Sequence, residues 1–169
     1  MLVIFRGLPG TGKSYLARQL VDCRQQFLVL SRDVMRRAVI PRPTFSDEEK
    51  ELVDGLIASM AGYLLERGRD VVIDGMALSA AEGVGRLVRE ASSRAIPVRI
   101  IECACRQETA LARIRSDGEA HPAADRGESL YFRVKDRFEP IPYPSLSVDT
   151  DGDAAEAIRA ILDYLGPEA

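Results

Sequence analysis

Apolar residues recur along this chain in two rhythms. Leu2–Phe5 is a short unbroken apolar run closed by Arg6 and Gly7, which predicts a buried strand. From Lys13 to Arg24 the spacing changes, with Leu16, Ala17, Leu20 and Val21 on one helical stripe. Phe27–Leu30 returns to the buried-strand pattern. Ser31 and Asp33 are residue types that cap helices, and Val34–Val39 reads as a short helix broken by Ile40-Pro41-Arg42-Pro43.

Ser46 with Glu49 three residues on has the form of a capping box. The helix it opens carries Leu52, Val53, Leu56, Ile57, Met60, Leu64 and Leu65 on its apolar side and stops at Gly68. Val71–Ile73 predicts a third strand ending at Asp74, and Ser79–Arg94 a helix interrupted by Gly83 and Gly85. Pro97–Cys103 predicts a strand and Gln107–Ser116 a helix. Residues 117–127 form a polar, turn-rich surface loop with the lone histidine, His121, expected to be exposed. Glu128–Phe138 reads as helix, Ser145–Val148 as a last strand and Ala154–Leu165 as a last amphipathic helix. Strands alternating with helices predict an α/β fold of three layers, with a parallel five-stranded sheet covered on both faces. Neither an internal repeat nor a linker is visible, so residues 1–169 are expected to form one domain, with a lid over about 114–130.

Composition narrows the class. The chain has 169 residues, 46% hydrophobic and 29% charged, as expected of a globular protein with a sizeable core. No apolar run approaches the ~20 residues that span a bilayer, and Leu2–Phe5 is too short for a leader core. The expectation is a cytoplasmic protein without a membrane partner. A net charge of −3 argues against a broad grip on long nucleic acid but leaves room for binding the end of a strand. Cys23, Cys103 and Cys105 lack the spacing of a zinc site or a disulfide framework and read as simple thiols.

The chemistry starts at GLPGTGKS, residues 7–14, which fits G-x-x-x-x-G-K-[ST] between a strand and a helix. Anionic phosphates need several backbone N–H donors aimed into one hollow. Glycines permit that crowded backbone, and the next helix points its positive end at the same spot. The candidate cradle is Gly7, Leu8, Pro9, Gly10, Thr11, Gly12, Lys13, Ser14 and Tyr15, with ATP as its ligand. Lys13 would reach the β and γ phosphates, and the Ser14 hydroxyl would bind Mg²⁺.

A phosphate so held can be transferred, hydrolysed or sensed. In LSRDVMRR, residues 30–37, Asp33 stands just past a strand end, where an open α/β sheet forms its ligand crevice. A carboxylate there can take or orient an acceptor's proton. Arg36 shares its helical face and could grip an anionic group on that acceptor. The bland alternative is a capping aspartate beside solvated arginines. Asp74, at the end of VVID, could hold a magnesium water or the acceptor, or simply cap a turn.

The GxPGxGKS loop followed by Ser31-Arg32-Asp33 and Arg36 resembles the 5′-hydroxyl polynucleotide kinases and related small P-loop kinases, among them zeta toxins and chloramphenicol phosphotransferases. The resemblance covers most of the chain. It implies that Asp33 is the general base, that Arg36 contacts an acceptor phosphate, and that Arg113 is a lid arginine stabilising the phosphoryl group in flight. Two departures stand out. The family's D-x-T-N is here Asp74-Gly75-Met76-Ala77, and the second lid arginine is replaced by Asp117, leaving Arg115 or Arg126 to compensate. Phe138-Glu139-Pro140 resembles the family's F-E-P, whose default role is packing or chain redirection; Tyr131 and Phe132 could be core or could stack on a base.

Three functions are therefore open. One is an ATP-dependent kinase for a polynucleotide 5′-hydroxyl or nucleotide-like acceptor. Another is a kinase for a small hydroxyl metabolite or antibiotic. The third is a nucleotide-binding regulatory module with little transfer activity.

Overall fold

The computed structural model describes residues 1–117 and 127–167. The elements run β1 (Leu2–Arg6), α1 (Lys13–Cys23), β2 (Phe27–Ser31), α2 (Arg32–Val39), α3 (Asp47–Glu66), β3 (Asp70–Asp74), α4 (Ala81–Ser92), β4 (Val98–Ala104), α5 (Gln107–Asp117), α6 (Glu128–Lys135), β5 (Leu146–Asp149) and α7 (Ala154–Leu165). Five parallel strands pair in the order β2-β3-β1-β4-β5. After β1 the chain crosses over the site of β3 to lay down β2, and β4 is later added on the opposite side of β1. The order therefore reverses at the carboxyl end of β1, where an open sheet of this kind leaves a crevice.

Alternation along β1 sends its side chains to two separate cores. Leu2 and Ile4 face Val53, Ile57, Val84 and Leu87 of α3 and α4. Val3 and Phe5 face Leu16, Leu20 and Ile161 of α1 and α7. All of these are essentially inaccessible to water, and each contributes roughly 1.5–3 kcal/mol through burial. Helices thus cover both sheet faces, as the strand–helix alternation predicts.

On α3 the expected inward set is only half right. Val53, Ile57, Ala61 and Leu65 are buried, whereas Leu52, Leu56 and Met60 are exposed together with Tyr63. Apolar residues occupy more than half the circumference of this helix, so periodicity alone cannot say which stripe meets the sheet. The Ser46 hydroxyl accepts from the Glu49 N–H at 3.2 Å, but the return half of the capping box is diverted. Glu49 instead accepts from the backbone of Thr44 and Phe45 at 2.6 and 3.1 Å.

Two helix boundaries move for a tertiary reason. The carbonyl of Ser79 accepts from Glu139 N at 2.8 Å, and α4 starts only at Ala81, whose N–H donates to the Glu139 carboxylate. At the other end, α6 stops at Lys135 because Phe138 turns inward against Arg6. Arg6 is completely buried. Its guanidinium lies 4.2 Å from the Phe138 ring centre, donates to the Glu139 carbonyl at 2.9 Å and pairs with Glu102 at 3.0 Å. Burial lowers the Arg6 pKa, and Glu102 opposes that shift. Phe138-Glu139-Pro140 is thus a redirecting corner pinned from the end of β1.

Candidate active site

The loop between β1 and α1 is held by contacts no side chain could replace. Gly10 has φ +81°, and a Cβ there would stand 2.5 Å from the Ala110 carbonyl oxygen of α5. Gly7 is equally confined, by the Cys103 carbonyl and the Thr11 hydroxyl. Thr11 closes the loop on itself, its Oγ1 donating to the Leu8 carbonyl at 2.8 Å. Gly12, in the left-handed conformation, launches α1. Behind the loop the Cys103 thiol is pushed up to about 12 by burial, so it stays protonated and inert at neutral pH.

Lys13 lies across this hollow, its Nζ donating to the carbonyls of Gly7 at 2.8 Å and Leu8 at 2.7 Å. The Ser14 hydroxyl donates to Asp74 Oδ1 at 2.9 Å. β3 lies beside β1 in the sheet, so its terminal residue, Asp74, reaches the first turn of α1. Asp74 is only 6% exposed. Tyr15, by contrast, is 53% exposed at the cleft rim.

α2 begins where β2 ends. The turn after Asp74 packs on that junction: a Cβ on Gly75 would meet Arg32 N at 3.1 Å. Arg32 makes a two-pronged pair with Asp54 of α3 at 2.7 and 2.6 Å, which locks α2 to α3. Asp33 lines the cleft and faces Arg36 at 3.4 Å. Arg36 is 4% exposed and meets Glu49 at 2.8 Å, with Phe45 beneath its guanidinium. Burial works against the Glu49 charge. The N–H groups of Thr44 and Phe45, the Thr44 hydroxyl and Arg36 outweigh it and hold the carboxyl below its ordinary range. The contact between Arg36 and Glu49, which no sequence spacing suggested, joins an expected acceptor ligand to the first turn of α3.

Arg113 reaches back from α5 to the loop. It donates to the Gly10 carbonyl at 3.3 Å and to the Thr150 hydroxyl and carbonyl at 3.1 and 2.7 Å. In this conformation it braces the glycine loop against the segment after β5. Arg115 points elsewhere and pairs with Glu128 at 2.5 Å on the exposed surface. Arg126 and His121 lie outside the described residues, as does most of the expected lid. Tyr131 is core, packed with Ala110, Leu111 and Ile114, while Phe132 is exposed beside it.

Lys13, Ser14, Asp33, Arg36 and Arg113 all line one cleft of about 1360 Å³, with Asp74 beneath Ser14. That arrangement matches the sequence: the profile of the AAA domain family covers residues 2–141. The chain belongs to that family. Its fold is that of P-loop kinases. *Chaetomium thermophilum* Kti12 bound to ADP-AlF3 superposes with a TM-score of 0.75 at 18% identity, over 99% of this chain and 100% of that one. *Mycobacterium tuberculosis* APS kinase CysC, bound to AMPPNP and APS, superposes at 0.72 and 18% identity, over 98% and 97%. A Pnkp1/Rnl/Hen1 complex matches at 0.59 and 21% identity, over 66% of this chain and 38% of that one. Among curated proteins none matches the chain. Among the described residues no helix is long and apolar enough to cross a membrane.

Mg²⁺ is the cation such a site implies, and the donors suit it. The Ser14 hydroxyl and Asp74 carboxylate are hard oxygen groups on one wall. The described residues contain no cluster of three or more acidic, histidine or cysteine side chains that could hold a metal alone, so phosphate oxygens would complete the shell.

Proposed function

We propose that this protein is a single-domain, cytoplasmic ATP-dependent phosphotransferase that moves the γ-phosphate of ATP to an acceptor hydroxyl, with a polynucleotide 5′-hydroxyl or nucleotide-like compound as the best-fitting acceptor. The observation that carries this reading is the gathering of the glycine loop, the Ser14 hydroxyl hydrogen-bonded to Asp74, and Asp33 about one cleft. Neighbours of the same fold hold ATP-like groups, AMPPNP in the APS kinase and ADP-AlF3 in Kti12.

In this reading the amides of residues 7–14 and the start of α1 bind the phosphates. Lys13 leaves its two carbonyl partners for the β and γ oxygens. Ser14, oriented by Asp74, would hold Mg²⁺, which would supply positive charge to the phosphate oxygens. Asp33 takes the proton of the acceptor hydroxyl as its oxygen bonds to the γ-phosphorus. The bond from that phosphorus to the bridging oxygen breaks, and ADP leaves. Arg113 adds positive charge to the phosphoryl group after exchanging its Thr150 contacts. Arg36 aligns Asp33 and contributes its charge to the acceptor pocket.

The low basic charge of the chain and Asp117 in place of the second lid arginine favour a second reading in which the acceptor is a small hydroxyl metabolite or antibiotic. The test is transfer from γ-labelled ATP to a panel of 5′-hydroxyl oligonucleotides, sugars and antibiotics. The expected result is label on the oligonucleotide 5′ end, lowered roughly 100-fold or more by Asp33→Asn with ATP affinity retained. Turnover that ignores Asp33→Asn would refute the mechanism.

A further inference from the structure

The cleft is larger than one ligand needs. Small-molecule pockets run to roughly 300–1,000 Å³, and this one is about 1360 Å³. Its charge also departs from that of the chain. Nine cationic and two acidic side chains line it, whereas the whole chain carries −3.

Several of those cations have assigned work. Lys13 and Arg113 belong to the glycine loop, Arg32 is held by Asp54, and Arg36 is buried against Glu49. Arg36 lies against Asp33, beside the reacting hydroxyl in that reading, so a grip on a more distant anionic group of the acceptor would come from other cations. Arg133 in the last turn of α6 and Arg137 just beyond it are four residues apart and exposed, and both line the cleft. Lys50 of α3 lines it too, and pairs at 3.0 Å with Asp47, whose side chain is 96% exposed. An exposed pair of this kind is weak and exchangeable. The Asp47 carboxyl is held below its ordinary range, first by the hydrogen bond from Lys50 and then by its charge, with smaller help from Arg137 and Arg133. The three cations and the surface carboxylate of Asp47 thus line one and the same cleft, with Lys50 already paired to Asp47.

We propose that Arg133, Arg137 and Lys50 form a second anion subsite, which takes a phosphate of the acceptor other than any beside the reacting hydroxyl, displacing Asp47. The proposal rests on the phosphotransfer reading above and refines it: the acceptor carries at least one remote phosphate, on a nucleic-acid strand or a small bisphosphate. Arginine suits this role because its planar fork binds phosphate oxygens in pairs.

The experiment compares three acceptors with the intact protein: an uncharged nucleoside, a nucleoside 3′-monophosphate and a 5′-hydroxyl trinucleotide. In the wild type the trinucleotide is expected to show a KM roughly tenfold below that of the monophosphate. The Arg133→Gln/Arg137→Gln double variant erases that advantage while the kcat for the trinucleotide stays within about twofold. Its salt dependence of trinucleotide binding flattens by about 1.4 in logarithmic slope, two contacts on a single strand. Asp47→Asn removes the internal competitor and moves the trinucleotide KM the other way, downward. A small bisphosphate that saturates as tightly as the trinucleotide, and is weakened by the double variant, supports the subsite and names the small source. Equal KM for monophosphate and trinucleotide in the wild type, or an undiminished advantage in the double variant, overturns it. If none of the three acceptors is labelled, the reading of a polynucleotide or nucleotide-like acceptor fails. The subsite is then judged by fluorescence anisotropy of a labelled 5′-hydroxyl oligonucleotide: weaker binding by the double variant upholds it, and equal binding overturns it.

Discussion

In the reading proposed above, the phosphate-holding end of the cleft and the acceptor end are made of different materials. At the first, the main chain does the holding: Gly7 and Gly10 press against the carbonyls of Cys103 and Ala110, and Lys13 donates to two loop carbonyls. At the second, side chains from separate elements meet across long sequence distances: Asp33 and Arg36 from α2, Glu49 and Lys50 from α3, Arg133 from α6. A cradle made from backbone tolerates few residue types, so it leaves spaced glycines in the sequence. A pocket made from side chains on exposed helices leaves almost no trace, and it is the part a protein can rebuild for a new acceptor without disturbing the cradle.

That contrast can be broken by substitution. Lys13→Ala should have the largest effect, a fall in kcat of roughly 10²–10³ on every acceptor, read by steady-state turnover. An acceptor-dependent loss would mean that the two ends are not independent. Next comes Gly10→Ala, which forces an L residue to φ +81° and into the Ala110 carbonyl. It should cost at least ~2 kcal/mol, seen as a lower Tm together with weaker ATP binding. At the acceptor end the nearest counterpart is Gly75, at φ +75° with a Cβ only as close as 3.1 Å to Arg32 N, so Gly75→Ala should cost less than Gly10→Ala.

Glu49→Gln probes the other material. The folded Glu49 carboxyl titrates below its unfolded value. Its stabilisation is therefore fully present above about pH 4.3 and is lost as pH falls through the lower folded value. The variant should melt below the wild type at pH 7, and the gap should close in acid, as measured by thermal denaturation across pH. A gap that widens in acid would contradict the ion pair with Arg36. The smallest effect is expected from Arg115→Ala, since that surface pair with Glu128 contributes at most ~1 kcal/mol. A large kinetic loss there would mean that Arg115 stands in for the missing lid arginine after all.

The same division governs what was legible beforehand. Element order, the parallel sheet and the loop at residues 7–14 follow from periods of two and 3.6 and from one motif, all of which are local signals. Strand ends of an open sheet face the crevice, and the structure accordingly has Asp33 on the cleft wall and Asp74 against Ser14, as their strand-end positions suggest. What was hidden is long-range. Ser46 and Glu49 have capping-box spacing, yet Glu49 also binds Arg36, thirteen residues earlier in the chain. Arg113 lies at the expected helix position, but its partners in the structure are Gly10 and Thr150. Leu52, Leu56 and Met60 looked inward because the helix is apolar on too wide an arc.

Arg6 gives the fold a mechanical consequence. One guanidinium, sealed from water, ties the last residue of the central strand to Phe138 and Glu139. The downstream end of α6 is therefore hinged to the sheet rather than trailing from it. The placement of Arg133 and Arg137 against the cleft is thus set from β1 through that corner as well as by the packing of Tyr131 on α5.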